Sequence, residues 1–330
     1  MRELLRTNDA VLVSAVGALL DGAGIPHLVL DQNMSVLEGS LGVLPRRVLV
    51  SEDYVGVARS VLQDAGLAHE LRPEPAEPAI AETTLDAVLG GRLKLRQPKR
   101  GHRVGHDAML LAAITDAHAG EHAVELGSGV GAAGLAVAQR VSDLRMTLVD
   151  IDPALCALAR ENARLNGLEN RVEVRALDVA ISGAFDAAGL NAGSVDRVLM
   201  NPPFHDSDRT QLSPDAARRR AHAATAATLG LWINTASRLL KPDGVLTLIW
   251  RADGLDEVLA TLTDFGGIGV LPVHPRADAP AIRVLLRATK GSRAPLVLHP
   301  PLMLNDAQGK PSAAAEAVLR AGETLNLNVS

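Results

Sequence analysis

The chain has 330 residues, 47% of them hydrophobic, and a formal net charge of -5. That length exceeds one ordinary domain and leaves room for a large unit beside a small one, while the single cysteine, Cys156, excludes an internal disulfide and a cysteine-built metal site. Two Trp, one Tyr and three Phe exclude a broad aromatic platform, and the mild acidity excludes nucleic-acid binding by bulk charge, so any such binding needs a local basic patch.

The opening MRELLRTNDA lacks the basic-then-apolar layout of a signal peptide, and no apolar run approaches the ~20 residues of a spanning helix, so a cytoplasmic protein is expected. Residues 1–72 read as a small α+β unit of order βαββα. Asn8 and Asp9 cap the apolar stretch AVLVSAVGALLDGAG, IPHLVLD and RRVLVS are strands, and DYVGVARSVLQDAGL is a helix ending at Gly66. No catalytic constellation lies in it. Residues 73–81, with Pro73, Pro75 and Pro78 among acidic residues, form a semi-rigid linker.

From residue 82 onward, strand and helix patterns alternate: HAVEL, GAAGLAVAQRV, MTLVD, PALCALARENARLNG, RVEVRAL, VDRVLM, ATLGLWINTASRLL and GVLTLIW. Alternation of this kind predicts an α/β fold, a doubly wound, mainly parallel sheet with helices on both faces. GVLPVHP and IRVLLRAT flank a turn with Pro275 and Pro280 and predict an antiparallel hairpin at the sheet edge. Cys156 falls in a helical pattern as a small buried residue.

ELGSGVG follows the first strand of this sheet and opens a helix. Gly127, Gly129 and Gly131 allow a sharp turn and close approach of a ligand, although the spacing also fits a dinucleotide pattern. Asp150 ends the next strand, where a carboxylate can accept from both hydroxyls of a ribose; Asp152, before Pro153, caps the following helix. Asp178 ends the third strand and can accept from an adenine amine. Glu125 stands near where a sulfonium or amino cation would lie. Three acids at consecutive strand ends beside a glycine turn point to a nucleoside ligand.

Asn201, Pro202, Pro203 and Phe204 come after the fourth strand and are the most specific feature of the chain. The prolines fix an extended, rigid loop, which can aim the Asn201 side-chain oxygen and the Pro202 carbonyl at one place. Two acceptors there hold an NH2 group and absorb the positive charge that develops as its nitrogen attacks an electrophile. Phe204 can stack on the flat group carrying the amine.

Taken with LGGRLKLRQPKRGHRVGHDAMLLA before the sheet, LVDIDPALCALARENARLNG and RVLLRATKGSRAPL, these residues place a resemblance on residues 82–330. This region resembles the amino, or N6-adenine, subgroup of class I methyltransferases, and most of all the tRNA1(Val) adenine-37 N6-methyltransferase family. The resemblance implies a seven-stranded sheet and S-adenosylmethionine as cofactor. It puts Gly127, Gly129 and Asp150 on the methionine and ribose parts of the donor, Asp178 on its adenine, and Asn201 to Phe204 on the target base. It also implies a tRNA substrate, methylated on an anticodon-loop adenine. Residues 1–72 resemble a small domain of unknown function linked to signal transduction. The residue after Phe204 is His205, and NPPFH is also similar to ribosomal-RNA guanine-N2 methyltransferases, which lack the GGRLKLRQPKRGHR segment. Protein glutamine-N5 methylation uses a similar tetrad. A nicotinamide-dependent dehydrogenase or a non-enzymatic binding protein are the readings of another class.

RNA contact is expected at Arg92, Lys94, Arg96, Lys99, Arg100 and Arg103, and at Arg218, Arg219 and Arg220, two basic runs that flank the NPPF loop in sequence. Lys290 and Arg293 form a weaker third group. RLKLR predicts a strand with its basic side chains on one face. Asp107 is expected to cap the helix AMLLAAI.

Overall fold

The computed structural model describes residues 2–30, 46–51, 54–72, 82–100, 103–203 and 228–328. It divides into two compact units, Met1–Glu77 and Pro78–Ser330.

The first unit contains β1 (Arg2–Thr7), α1 (Ala10–Gly22), β2 (His27–Leu30), β3 (Arg46–Val50) and α2 (Val55–Asp64). The three strands form an antiparallel sheet of order β1-β3-β2. Asp9 starts α1 by accepting from the backbone N–H groups of Val11 and Leu12, two donors that the first helical turn leaves free. Leu4, Leu5, Val13, Val16, Leu20, Val48, Val50, Ala58 and Leu62 are buried in one core.

The second unit opens on an antiparallel hairpin, β4 (Thr83–Val88) and β5 (Leu93–Pro98). Along β5 the pleat turns Leu93 and Leu95 inward and leaves Lys94 exposed and Arg96 partly so, as alternation requires. The main sheet then runs through β6 (His122–Leu126), β7 (Arg145–Asp150), β8 (Val172–Ala176), β9 (Val195–Met200), β10 (Leu240–Arg251), β11 (Phe265–His274) and β12 (Arg283–Lys290). Two-residue strands β13 (Val297–Leu298) and β14 (Leu302–Met303) both pair with β11.

Strands β8, β7, β6, β9 and β10 are parallel in that spatial order, and β12 is antiparallel to both β10 and β11. The order steps outward from β6 in both directions, which makes the sheet doubly wound. The β11–β12 pairing is the expected antiparallel hairpin. Its position differs in detail: β12 is inserted between β10 and β11, and the outer side of β11 is covered by β13 and β14. Among the described residues the sheet therefore has nine strands, the two additional ones being too short for any periodic pattern to reveal.

Helices α3 (His106–Ile114), α4 (Ala132–Arg140) and α5 (Pro153–Leu165) cover one face, where Leu110, Leu111, Leu135, Val137, Cys156 and Ala159 are buried together with Leu93 and Leu95 of the hairpin. Helix α6 (Ser182–Ala187), α7, described over 228–239, and α8 (Leu255–Thr261) cover the other, burying Phe185, Leu229, Ile233, Ala236 and Val258. Helix α9 (Ala313–Leu319) packs on the α3 side through Ala315 and Val318.

Asp107 does not cap α3. The helix begins two residues earlier than expected, at His106, with Gly105 in the cap position, and Asp107 instead accepts from the Arg283 guanidinium at 3.0 Å. A carboxylate in the first turn still suits the positive end of the helix, so the sequence signal was that of the turn rather than of the cap.

Candidate active site

The carboxyl ends of β6, β7, β8 and β9 lie along one edge, the edge at which open α/β sheets bind ligands. β6 is central to it, pairing with β7 through Leu126 and Val149 and with β9 through Leu126 and Met200. The segments leaving β6 and β9 are therefore neighbours in space although some seventy residues apart in the chain.

After β6 the backbone turns through Gly127, Gly129 and Gly131, all left-handed, with φ of 69°, 56° and 86°. A side chain is disfavoured at each by that conformation alone. Gly127 has a second reason, because the Trp232 ring of α7 occupies the space a Cβ would need. Around Gly129 nothing among the described residues stands within 4 Å of that position. The turn thus presents bare backbone to open space, a cradle that a ligand can approach closely.

Asp150 holds this turn in place. Its Oδ2 accepts from Gly129 N–H at 2.7 Å and its Oδ1 from Asp152 N–H at 2.9 Å, with the residue 8% exposed. Each oxygen keeps a further lone pair for a ligand hydroxyl. Asp152 caps α5, accepting from Ala154 and Leu155. Between the two acids Ile151 is 66% exposed, a large apolar side chain left bare at the edge. Asp178 lies just beyond β8, and its Oδ1 accepts from Ala180 N–H at 2.8 Å.

Glu125 has turned back from the edge. It is buried, and its Oε2 accepts from Gly134 N–H in the first turn of α4 at 2.7 Å. Burial pushes its carboxyl up to about 8, the Gly134 hydrogen bond opposes this, and the neighbouring Asp150 charge adds to it. Cys156 is buried in α5, and burial with the Asp150 charge pushes its thiol up to about 12, which removes it as a nucleophile at neutral pH.

Asn201 comes directly after the last residue of β9. Its Oδ1 is buried without a hydrogen-bond partner among the described residues, and so is Ser128 Oγ in the glycine turn. An acceptor withdrawn from water and left unbonded costs about 1–3 kcal/mol, so such an atom is expected where a ligand completes it. Pro202 is buried and Pro203 exposed. Phe204, His205 and Arg218 to Arg220 lie outside the described residues.

The basic run separates into committed and available groups. Arg92 donates to the carbonyls of Leu89, Arg320 and Ala321, capping the end of α9. Arg96 pairs with Glu161 at 2.6 Å, Lys99 with Glu82 at 3.6 Å, and Arg103 with Asp86 at 2.9 Å. Lys94, Lys99 and Arg100 are exposed, the Lys99–Glu82 pair lying open to solvent. Of the weaker group, Lys290 donates to the carbonyls of Ser237 and Leu240 and closes the end of α7.

Sequence reasoning missed Ile151, Ser128 and Trp232. Ile151 was readable, being the apolar residue between two acids at a strand end. Trp232 was not, since only the fold brings its ring onto Gly127.

A glycine turn, an acid at the next strand end and an Asn-Pro-Pro loop at the fourth, on a mainly parallel sheet with one antiparallel strand inserted beyond β10, define a methyltransferase of the α/β class. The chain belongs to the methyltransferase small domain family, whose model matches residues 103–271. Residues 1–66 match the family described as "Putative prokaryotic signal transducing protein". A Porphyromonas gingivalis protein named tRNA1(Val) (adenine(37)-N6)-methyltransferase is 32% identical over 47% of this chain and 61% of its own length. An Aeromonas hydrophila protein of the same name is 29% identical over 60% of this chain and 82% of its own. The chain spans less than two thirds of the two Porphyromonas relatives' length, 61% and 66%. Among solved structures, an Agrobacterium tumefaciens protein described as a predicted O-methyltransferase is 30% identical with a TM-score of 0.57, covering 66% of this chain and 98% of that one. The donor of this class is S-adenosylmethionine, and the bare turn at Gly129 with the Asp150 carboxylate beside it fits that group.

Proposed function

We propose that this chain transfers a methyl group from S-adenosylmethionine to N6 of an adenine in a tRNA anticodon loop. The observation that carries the reading is the buried Asn201 Oδ1 beside the glycine turn, without a hydrogen-bond partner among the described residues. The tRNA relatives' names support the choice of substrate. Such a substrate sets the reaction in the cytoplasm; no helix among the described residues is long and apolar enough to cross a membrane.

S-adenosylmethionine, when bound, supplies an electrophilic methyl group on a sulfonium. Gly127, Gly129, Gly131 and Ser128 would hold its methionine part, Asp150 its ribose and Asp178 its adenine amine, with Ile151 offering apolar surface to the purine. Asn201 Oδ1 and the Pro202 carbonyl accept the two N–H groups of the target amine, and Phe204 stacks on its ring. Those two bonds orient the nitrogen lone pair and stabilise the positive charge it gains. No strong base is needed, because the N–H becomes acidic only as that charge develops. The remaining contribution is alignment of amine and methyl group.

Incubating the protein with isotopically labelled donor and unmodified tRNA, then digesting to nucleosides, should place the label in N6-methyladenosine. Label in N2-methylguanosine would change the base, and label only in added protein substrates would remove RNA as the acceptor.

Lys94 and Arg100 are the phosphate-binding side chains assigned to the hairpin region. Replacing both with alanine should weaken tRNA binding and reduce the slope of log affinity against log salt by about 0.7–0.9 for each phosphate no longer neutralised. Donor affinity should not change. An unaltered slope would make this a solvated face.

A further inference from the structure

Two side-chain amides join segments that the proposed function treats separately. Asn162 and Asn166 lie four residues apart at the end of α5, one turn from each other on one face. Each pairs with the edge of β5 as a neighbouring strand residue would. Asn166 Oδ1 accepts from Lys94 N–H at 2.9 Å, and its Nδ2 donates to the Lys94 carbonyl at 2.7 Å. Asn162 Oδ1 accepts from Arg96 N–H at 2.6 Å, and its Nδ2 donates to the Arg96 carbonyl at 2.9 Å.

Asn162 goes further. It is 0% exposed, and its Nδ2 also donates to the carbonyl of Val130 at 3.0 Å. Val130 belongs to the glycine turn. Both hydrogens of one NH2 are thus used, one on the hairpin and one on the turn, while the oxygen is used on the hairpin. Only a short amide meets that set: aspartate offers no donors, serine one, and glutamine is a methylene too long. Asn166 makes the same clamp on the hairpin without reaching the turn, so anchoring the hairpin does not by itself require the second bond.

We propose that Asn162 is a positioning residue that ties the basic β4–β5 hairpin to the donor-binding glycine turn, so that filling the donor site stiffens the hairpin. The inference rests on the donor reading of that turn. A ligand that fixes the turn fixes the Val130 carbonyl, hence the Asn162 amide, hence the backbone at Arg96 between Lys94 and Arg100. Linkage makes the effect reciprocal, so RNA held on the hairpin would tighten donor binding by the same factor.

The test is hydrogen exchange of the full chain with and without saturating S-adenosylhomocysteine. In the wild type, exchange should slow at the glycine turn and also at Leu93–Arg96, the latter by at least about fivefold, the lower end of ordinary coupling. Asn162→Ala should keep the slowing at the turn and lose it at the hairpin, while Asn166→Ala should keep both. Asn162→Asp, which retains size and the bond from Arg96 N–H but cannot donate to Val130, should behave as Asn162→Ala and serves if that variant does not fold. Slowing at the turn with none at the hairpin in the wild type would overturn the inference alone. Equal hairpin slowing in the Asn162 variants would also overturn it. Slowing at neither segment would remove the donor reading and this inference together.

Discussion

Asn201→Ala should lower turnover by about 10²–10³, the usual cost of removing one preorganised group from the charge that develops in a transition state. Donor affinity should stay within about twofold, because the proposed bond from the Asn201 oxygen is to the target amine and not to the donor. The physical basis is the burial of an acceptor with no partner among the described residues. Alanine removes an atom whose desolvation is already a cost in the free protein, so the variant should fold at least as stably as the wild type. Loss of activity with retained or raised stability separates a functional asparagine from a structural one. Single-turnover methylation of unmodified tRNA, with donor affinity from calorimetry and stability from urea unfolding, checks all three. Methylation at the wild-type rate would remove Asn201 from the chemistry.

Glu125 should make the fold lose stability as pH rises. In the unfolded chain its carboxyl ionises near the ordinary 4.5, whereas burial holds it up to about 8 in the folded chain. Between those values folding takes up a proton. The stabilisation is full below pH 4.5, declines through that window and levels off above about 8. One pK unit is worth about 1.4 kcal/mol, so the total is on the order of a few kcal/mol. Glu125→Gln keeps an oxygen for Gly134 N–H and cannot ionise, so its unfolding free energy should be flatter with pH and exceed the wild type's most at pH 8. His122 works in the opposite sense, since burial and Arg145 hold its imidazole below the ordinary value and favour the fold as pH rises. The difference between the two proteins, measured by urea unfolding at pH 5.5 and 8, isolates Glu125. A pH-independent difference would show that the folded carboxylate is ionised throughout.

The main elements of the fold were legible in the sequence because their signals are local. ELGSGVG requires left-handed backbone at fixed offsets, and only glycine supplies it cheaply, which accounts for the three positive φ values. The strand patterns HAVEL, MTLVD and VDRVLM alternate with helical ones, and that alternation implies a parallel sheet covered on both sides. Asp152 before Pro153 reads as a cap from two adjacent residues. NPPF is rigid through its prolines wherever it is placed.

Side-chain commitment was not legible. Six basic residues between Arg92 and Arg103 look alike in a sequence, yet Arg92, Arg96 and Arg103 are held by carbonyls or acids, some of them far along the chain. Glu125 and Asp150 both occupy strand ends, yet one is turned inward onto the first turn of α4 while the other secures Gly129 at the open edge. Trp232 stands over Gly127, and Asn162 reaches from Arg96 to Val130, only because the helices carrying them are docked against the sheet. Backbone conformation, the order of strands and helices and the chemistry available at each strand end depend on a residue and its near neighbours, and so could be read along the chain. Which charges are spent and which acceptors stay open could be read only from the packed molecule, because a hydrogen bond is set by distances of about 3 Å between segments whose separation in the chain carries no information about their separation in space.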